Sequence, residues 1–108
     1  MSKFTFRLYT LSLEGVREVG PLAKEIARCD PDLARQLPKS SASMHLNIAE
    51  GMDAAGRNRV ARYRLALGET NESIAILDIA QALGYVEVEA RAFDKLQHVR
   101  ATLLNLVR

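Results

Sequence analysis

Tryptophan is absent from this chain of 108 residues, and aromatic residues make up only 6% of it. A hydrophobic core must therefore be mostly aliphatic, which is feasible because hydrophobic residues make up 48% of the chain. Three prolines and six glycines are few for the many turns of an all-β protein. No apolar run approaches the roughly 20 residues that cross a bilayer, so we expect no membrane segment.

Cysteine is nearly absent as well, because Cys29 stands alone and has no partner for an intramolecular disulfide. A single cysteine is compatible with the reducing cytosol. The start of the chain, MSKFTFRLYT, lacks the long apolar segment of a secretory signal. We therefore expect a cytoplasmic protein. The length predicts one domain that spans residues 1–108.

Apolar residues recur at steps of three to five along the chain, which is the spacing of helices and not of strands. The pattern predicts four helices, at about residues 5–28, 31–50, 57–83 and 87–107. Asp30 and Pro31 have the residue types of an N-cap and a first helical position. Because short connections make neighbouring helices antiparallel, the predicted fold is all-α, an antiparallel up-down-up-down four-helix bundle.

Glycine and proline mark the expected ends and interruptions of these helices. Gly20-Pro21 predicts a kink or break in the first helix, and Pro38 predicts a bend in the second, since proline lacks a backbone donor. Gly51 and Gly84 predict helix ends. We also expect Gly51 and Gly68 to serve chain reversal and close helix approach.

A polar stripe runs along the second predicted helix, where a bundle would normally bury apolar side chains. Its members are three or four residues apart and share one helical face: Gln36, Ser40, Ser43, Asn47 and Glu50. Polar side chains that are buried by packing need hydrogen-bond partners. We predict a structural polar network between the second and third helices, formed by Gln36, Ser43, Asn47, Glu50, Arg62, Glu69 and Glu72.

The alternative interpretation of this stripe is a buried catalytic or metal cluster. Ferritin-like metal bundles carry Glu-x-x-His on two helices, and zinc proteases carry His-Glu-x-x-His. Neither pattern occurs in this chain, and there is no Gly-rich phosphate loop. Cys29 has no histidine placed beside it, and His45 is as readily an interface residue as a ligand. We therefore predict no catalytic residue, no metal site and no cofactor.

The charge is segregated along the chain, although the net charge is only +2. Four arginines fall within eight residues that contain no acid, whereas residues 65–90 contain five acids and no Lys or Arg. Arginine forms bidentate bonds to phosphate oxygens, so the run indicates phosphate contact; the alternative is a solvated helix start.

Arg91, Lys95 and His98 form a second cationic stripe, which is either a solvated face or more of the same surface. The candidate nucleic-acid-binding residues are Arg57, Arg59, Arg62, Arg64, Arg91 and Lys95.

Aromatic residues give little support to the stacking of single-stranded bases. Tyr63, Tyr85 and Phe93 occupy positions that we expect to pack in the core, and few aromatics are interleaved with the cations. Phosphate contact is therefore the only mode of nucleic-acid binding that the sequence favours.

Several motifs lie along the predicted helices. They are Leu33-x-x-Gln36-Leu37, Ser43-x-x-x-Asn47-Ile48-Ala49-Glu50-Gly51, Arg62-Tyr63-x-x-Ala66-x-Gly68-x-x-x-Glu72 and Ala82-Leu83-Gly84-Tyr85-Val86. In these motifs the chain resembles the bacterial four-helix-bundle family whose members are often encoded in intervening sequences of the large-subunit ribosomal RNA gene. The family also includes the accessory variability protein of diversity-generating retroelements.

The resemblance implies an up-down bundle that assembles as a homopentamer and is not an enzyme. In the retroelement branch the pentamer is basic, binds nucleic acid and works with a reverse transcriptase. The implied partners are therefore further copies of the chain, RNA or DNA, and a protein partner such as a reverse transcriptase.

Two functional hypotheses from different classes follow. The first is a non-enzymatic oligomer that binds RNA or DNA through a basic surface. The second is a protein-interaction scaffold or adaptor, in which the apolar and acidic surface of residues 65–90 docks a protein and nucleic acid is incidental. A third hypothesis, a metal-dependent enzyme, finds no metal-ligand pattern in the chain.

Overall fold

Four α-helices make up most of the chain. A computed structural model describes residues 2–87 and 90–108, apart from the side chains of residues 90–92. The helices are α1 (Lys3–Ala27), α2 (Pro31–Asp53), α3 (Gly56–Ala82) and α4 (Ala90–Leu106). They form a rod of 43 × 22 × 20 Å. No strand occurs among the residues described, so the predicted all-α class is confirmed.

The helices close a ring around a single core. α2 packs against α1 and α3, and α4 packs against α3 and α1. Only residues 28–30 separate α1 from α2, and only residues 54–55 separate α2 from α3. Such short connections reverse the chain direction, so consecutive helices are antiparallel and the predicted up-down-up-down bundle is confirmed. Within the residues described, no helix is both long and apolar enough to cross a membrane.

Aliphatic side chains fill the centre of the bundle, as the composition predicts. One aromatic ring joins them, that of Tyr63, which is 1% exposed. The other large, fully buried side chains include Leu8, Val19, Ile26, Leu37, Met44, Ile48, Leu77, Leu96, Val99 and Leu103. Burying one leucine-sized side chain contributes roughly 1.5–3 kcal/mol. These positions therefore supply much of the free energy that holds the four helices together.

The predicted start of α2 is confirmed. The Oδ1 atom of Asp30 accepts a hydrogen bond of 3.0 Å from the backbone N–H of Leu33, and Pro31 occupies the first turn. An acidic cap satisfies a donor that has no intrahelical acceptor and faces the positive end of the helix dipole.

The predicted end of α3 at Gly84 is confirmed as well. The N–H of Gly84 donates to the carbonyl of Gln81, and that of Tyr85 donates to the carbonyl of Ala80, which is the hydrogen-bond pattern of a Schellman motif. The motif requires a left-handed residue, and Gly84 has a φ of 74°.

The sequence predicts a kink or a break at Gly20-Pro21, and the break is wrong. α1 is one helix of 25 residues with Pro21 inside it. Proline removes a single backbone donor, and Pro21 is exposed, so the loss falls on the solvent side of the helix. Val19 and Ile26 are fully buried on either side of the proline and hold both halves of α1 against the core. α2 likewise continues through Pro38, which is also exposed.

The expected end of α2 at Gly51 is wrong too. The helix continues to Asp53, and the connection to α3 consists of Ala54 and Ala55. Gly51 contacts Tyr63 of α3 instead, because a Cβ at position 51 would lie only 2.5 Å from the tyrosine ring. Gly51 therefore allows a close helix approach and does not reverse the chain. The expected start of α4 at Glu87 is also wrong, because residue 87 is not helical and α4 begins at residue 90; residues 88 and 89 lie outside the part described.

Candidate nucleic-acid interface

Positive charge is concentrated at one end of the bundle. The antiparallel order brings the start of α1, the end of α2, the start of α3 and the end of α4 to this end. The segments 2–7, 50–64 and 104–108 together contain seven cations and two acids. The cations are Lys3, Arg7, Arg57, Arg59, Arg62, Arg64 and Arg108, and we call this part of the molecule the basic end.

The opposite end of the bundle has no such excess. Its segments 20–35, 78–87 and 90–95 contain five cations and six acids. Lys3, Arg7 and Arg108 are therefore additions to the predicted arginine run that the sequence alone did not indicate. They are distant from the run along the chain, and only the antiparallel packing brings them to the same end.

Of the four arginines in the run, Arg57 and Arg64 are the two whose charge is available to bind a phosphate. Both are exposed, and among the side chains described neither has an ion-pair or hydrogen-bond partner. They are seven residues apart, which is close to two helical turns, so they lie on one face of α3. A guanidinium with no competing carboxylate can bind a phosphate through two parallel hydrogen bonds.

Arg59 has a structural role that the sequence did not indicate. Its Nε donates to the carbonyl oxygens of Gly51 at 3.2 Å and Ala54 at 2.9 Å, and so caps the end of α2. The last carbonyls of a helix lack intrahelical donors and attract positive charge. Burial raises the pKa of the Tyr63 hydroxyl, and the charge of Arg59 partly opposes that rise. Arg59 therefore holds the α2–α3 corner, and its Nε is not available to a phosphate.

Arg62 pairs with Glu50 across the α2–α3 interface. Its NH1 atom lies 2.8 Å from the Oε2 atom of Glu50, and the two side chains are 48% and 55% exposed. An exposed pair of this kind contributes about 0–1 kcal/mol to stability. The contact joins two members of the predicted polar network, and it partly neutralises one arginine of the run.

Lys95 lies away from the basic end, between α4 and α1. Its Nζ atom is 3.0 Å from Oε2 of Glu14 and 3.2 Å from Oε1 of Glu18. Hydrogen bonds to these carboxylates raise the pKa of Lys95 and keep it charged. A phosphate would have to compete with two carboxylates for this ammonium group. The side chain of Arg91, predicted in the same stripe, lies outside the part of the molecule described.

Arg100 is a cation that the sequence analysis did not select. Its Nε donates to Oδ1 of Asn71 at 2.9 Å and links α4 to α3. This contact fixes the register of the two antiparallel helices. Seven residues away along each helix, Arg64 lies level with Val107, so the end of α4 flanks the arginine run.

The predicted polar network is divided into separate contacts. Ser40 and Ser73 are both fully buried, and their Oγ atoms are 2.7 Å apart between α2 and α3. Each hydroxyl also lies 3.1 Å from a carbonyl oxygen of its own helix. One serine therefore donates to the other, and the second donates to its own helix, so that both groups are satisfied. Ser40 belonged to the polar stripe, whereas Ser73 was not predicted.

The other network residues are joined only in part. Asn47 Nδ2 donates to the carbonyl oxygen of Ser43 at 2.9 Å and lies 3.3 Å from its hydroxyl, so this pair is internal to α2. Gln36 and Glu72 are exposed, and the contacts described connect neither them nor Glu69 to the Glu50–Arg62 pair. Gly68, expected at a close approach, has open space where a Cβ would lie. Its side of α3 is therefore uncovered in the single chain.

His45 contributes to the α1–α2 interface. Its Nδ1 lies 2.7 Å from Oγ of Ser12, and its ring centroid lies 4.5 Å from that of Tyr9. The Ser12 hydroxyl also lies 2.9 Å from the carbonyl oxygen of Tyr9, so when it donates there, the imidazole N–H donates to the serine. Burial lowers the pKa of His45 and favours the neutral ring.

A serine beside a histidine is the arrangement of a nucleophile and its base. Ser12 is 0% exposed, however, so its hydroxyl cannot reach a substrate in this conformation. The pair therefore fastens α1 to α2. Within the side chains described, no group of three or more His, Cys, Asp and Glu is arranged to hold a metal ion. Cys29 is exposed at the turn between α1 and α2.

Comparison with known families bears directly on this fold and charge pattern. The model of the family described as 23S rRNA-intervening sequence protein matches residues 5–105. The chain belongs to this family. The match includes the polar stripe and the whole arginine run, and it confirms the resemblance that the sequence motifs indicate.

A solved structure agrees with the fold. It is the crystal structure of a protein of unknown function from the S23 ribosomal protein family of Bacteroides thetaiotaomicron, and it matches with a TM-score of 0.83 and 20% sequence identity. The match covers 96% of this chain and 97% of that chain. At this identity the likeness shows the fold alone. A comparison with curated proteins finds no match.

Proposed function

We propose that this chain is a non-enzymatic, cytoplasmic oligomer, pentameric as its family resemblance implies, that binds RNA or DNA through its basic end. The single observation that carries the proposal is the pair Arg57 and Arg64. Both are exposed and free of described partners, and they lie in an end of the bundle where seven cations outnumber two acids. Such an arrangement favours nucleic acid as the partner. Arginines that neutralise its phosphates release the counterions condensed on it, and this release strengthens binding.

An oligomer strengthens this mode of binding. Two free arginines make few phosphate contacts in one chain, and each contact is weak. Identical copies in a closed assembly would repeat the pair around a ring, and linked weak sites bind far more tightly than single ones. The proposed affinity therefore depends on assembly as much as on any single contact.

The outward face of α3 supports the assembly. It carries apolar residues that a monomer would be expected to bury, with Leu65 54%, Ile79 45% and Leu83 60% exposed. Gly68 lies among them with open space above its Cα, which permits the backbone of another helix to approach. We call Leu65, Gly68, Ile79 and Leu83 the outer stripe. Because Arg57 and Arg64 lie at the start of the same helix, copies that meet at the outer stripe also bring these arginines near one another.

The test of nucleic-acid binding is fluorescence anisotropy with labelled RNA, single-stranded DNA and duplex DNA across a salt series. Replacing Arg57 and Arg64 together by Ala is expected to weaken binding and to lower the slope of log K against log salt by about 0.7–0.9 for each lost phosphate contact. Arg59 is left in place because it caps α2, and its loss would confound binding with folding.

Arg35→Ala is the matched control. Arg35 is an exposed arginine at the opposite end of the bundle, paired with Asp32. Its replacement removes a charge without touching the basic end, so the salt slope should hardly change. Equal slopes in the wild type and the double variant, or no binding by the wild type at low salt, would refute the proposal.

The mass in solution, from light scattering, tests the assembly separately. Ile79→Glu introduces a charge into the outer stripe at a position that is already 45% exposed, so the folded single chain tolerates it. We expect the wild type to have about five times the mass of one chain and the variant to dissociate. A monomeric wild type would contradict the oligomer and leave the outer stripe without its proposed partner.

The second candidate function is a protein-interaction scaffold, and the outer stripe is the observation that favours it. Glu72 and Asp78 are exposed near the stripe, and residues 65–90 contain no Lys or Arg. A basic protein partner, such as a reverse transcriptase, would complement this surface. The two functions separate in a pull-down from nuclease-treated lysate. A specific partner that survives nuclease and is lost in Ile79→Glu would favour the scaffold.

A further inference from the structure

A groove runs between the start of α1 and the second half of α4. Its volume is about 430 Å³, and its walls include Phe4, Phe6 and Arg7 of α1 and His98 and Thr102 of α4. The groove begins at the basic end, because Phe4, Phe6 and Arg7 belong to the first two turns of α1. It thus combines aromatic rings, a cation and polar side chains in one concave surface.

The two phenylalanines are more exposed than a core role would require. Phe4 is 51% and Phe6 57% exposed, whereas Tyr63 is 1% exposed. The sequence contains only three phenylalanines, and two of them lie in this groove. The sequence gives base stacking little support, because its other aromatic residues are expected in the core. Only the structure reveals that these two rings are available beside the cations.

The electrostatics of the groove favour an anionic chain. Arg7 lines it, and among the side chains described Arg7 has no ion-pair partner. Glu14 lines the groove too, but its carboxylate is paired with Lys95 at 3.0 Å, so its repulsion of a phosphate is reduced. The floor is therefore apolar and aromatic, and the remaining free charge is positive.

We propose that this groove binds the unpaired bases of a single-stranded nucleic acid, which stack on Phe4 and Phe6 while Arg7 contacts the backbone. The inference rests on the proposed function and specifies its ligand. Base–aromatic stacking tolerates any sequence, because every base has a π-face. A base paired in a duplex is already stacked on its neighbours, so duplex nucleic acid gains nothing from the rings.

The same strand can reach the free arginines. α4 separates the groove from Arg64, and an α-helix with its side chains is about 10–12 Å across. At about 3.4 Å per nucleotide, three or four nucleotides cross that distance. One short single strand therefore contacts the stacking groove and the arginine run together.

A second copy of the chain is the competing occupant, since exposed phenylalanines also serve protein contacts. Charge argues against it, because a symmetric contact would bring Arg7 close to the cations of another basic end. The outer stripe of α3 offers an apolar surface for copies with no cation in it. The test includes the mass in solution, so that the two occupants give different results.

The decisive variant is Phe4→Leu combined with Phe6→Leu. Leucine retains an apolar side chain at two exposed positions and removes the aromatic faces without changing any charge. We expect affinity for a labelled homopolymeric single strand to fall about tenfold or more, and affinity for a duplex of the same length to stay within about twofold. The salt slope for the single strand should be unchanged, because the phosphate contacts remain. Leu13→Ala is the matched control, as it alters an exposed apolar side chain of α1 outside the groove.

A tryptophan probe gives a direct readout of stacking. The chain contains no Trp, so Phe6→Trp introduces the only indole. Its fluorescence should be quenched when the unlabelled single strand is added, and should change little with duplex. Retained single-strand affinity in the leucine variant, or a tryptophan that responds equally to both nucleic acids, would overturn the inference while leaving the basic end as a binding site.

Two further outcomes are also decisive. If the wild type binds neither nucleic acid at low salt, the proposed function is wrong, and so is the assignment of the groove as a single-strand site. If the leucine variant has a lower mass in solution than the wild type, the phenylalanines are contacts between copies, and the single-strand assignment is wrong.

Discussion

α2 and α3 share buried contacts of fixed shape beside one exposed ion pair, whereas the side-chain polar contacts described between α1 and α4 are all charged. Gly51 against Tyr63 belongs to the first interface, together with a buried serine pair. The second interface has Lys95 between two carboxylates and an open groove. α2 also packs more extensively on α3 than α1 packs on α4.

The difference assigns stability and the proposed binding to different sides of the bundle. Buried shape-matched contacts lose free energy steeply when an atom is added or removed, because protein interiors pack as densely as crystals. Ion pairs that remain partly exposed change little on mutation and weaken with salt. The α2–α3 interface can therefore hold the fold, while the more open α1–α4 interface leaves a concave surface for a ligand. Substitutions at the contacts between helices test this division, in order of expected effect.

Gly51→Ala should have the largest effect. The new methyl group would lie 2.5 Å from the ring of Tyr63, which is enclosed in the core and has no room to withdraw. Overpacking of this kind costs about 1–3 kcal/mol, and it exceeds the gain in helix propensity of about 1 kcal/mol. We expect a net loss of up to about 2 kcal/mol in the free energy of unfolding, measured by urea denaturation followed by circular dichroism.

Gly68→Ala is the matched control for that substitution. Gly68 is also within a helix, but nothing lies within 4 Å of the position of its Cβ. Alanine there should stabilise the monomeric fold by about 0.5–1 kcal/mol through helix propensity alone. The opposite signs of the two variants would locate the tight contact at α2–α3. A destabilised Gly68→Ala that also has a lower mass in solution would instead indicate a helix of another copy above Gly68.

Ser40→Ala, Ser73→Ala and the double variant test the second buried contact. Each single change removes one partner of a fully buried hydroxyl pair and should cost about 1 kcal/mol. The double variant leaves no hydroxyl without its partner, so its loss should be smaller than the sum of the two single losses. Strict additivity would show that each serine bonds only to its own helix, and the interface would then rest on Gly51 and the apolar core.

The sequence predicted the helices and the bundle because those features depend on local rules. The apolar spacing defines helical faces, Asp30-Pro31 starts α2, and Gly84 ends α3, each within a few residues. The errors at Gly20-Pro21 and Gly51 have one cause. In both cases tertiary packing overrides a local signal: core residues keep α1 helical through the proline, and Gly51 lies in close contact with the ring of Tyr63.

The candidate site was predictable only as far as it lies in one segment. The four arginines from Arg57 to Arg64 lie within eight residues, so their positive charge is evident from the sequence alone. Arg7 and Arg108 join it through the antiparallel packing, and the roles of Arg59 and Lys95 depend on neighbours that no spacing rule indicates. The sequence also did not indicate that Phe4 and Phe6 are exposed, because a phenylalanine at a helical position is usually buried.

His45 tests the α1–α2 interface, which connects the two contrasting pairs of helices. Burial lowers the pKa of His45 in the folded state, so the folded protein binds fewer protons than the unfolded chain once the pH falls below the ordinary histidine pKa of about 6.5. Stability should therefore be unaffected above this pH and should fall as the pH decreases through it. His45→Gln should flatten the curve of unfolding free energy between about pH 7 and pH 5.

A curve that stays as steep in His45→Gln as in the wild type would contradict this prediction, because the loss of stability at low pH would then not come from His45.

Lys95→Met should have the smallest effect. Methionine preserves most of the alkyl chain and removes the ammonium that lies between Glu14 and Glu18. The raised pKa of Lys95 means that its contribution is complete below the ordinary lysine pKa of about 10.4 and is lost as the pH rises through the folded-state value. At neutral pH we expect a smaller loss of unfolding free energy than for Ser40→Ala, and one that shrinks as sodium chloride is added, because salt screens exposed charges. A larger loss that salt does not change would mean that α1 and α4 are held by a desolvated contact. The charged interface would then be as rigid as the buried one, and the division between a stabilising side and a binding side would fail.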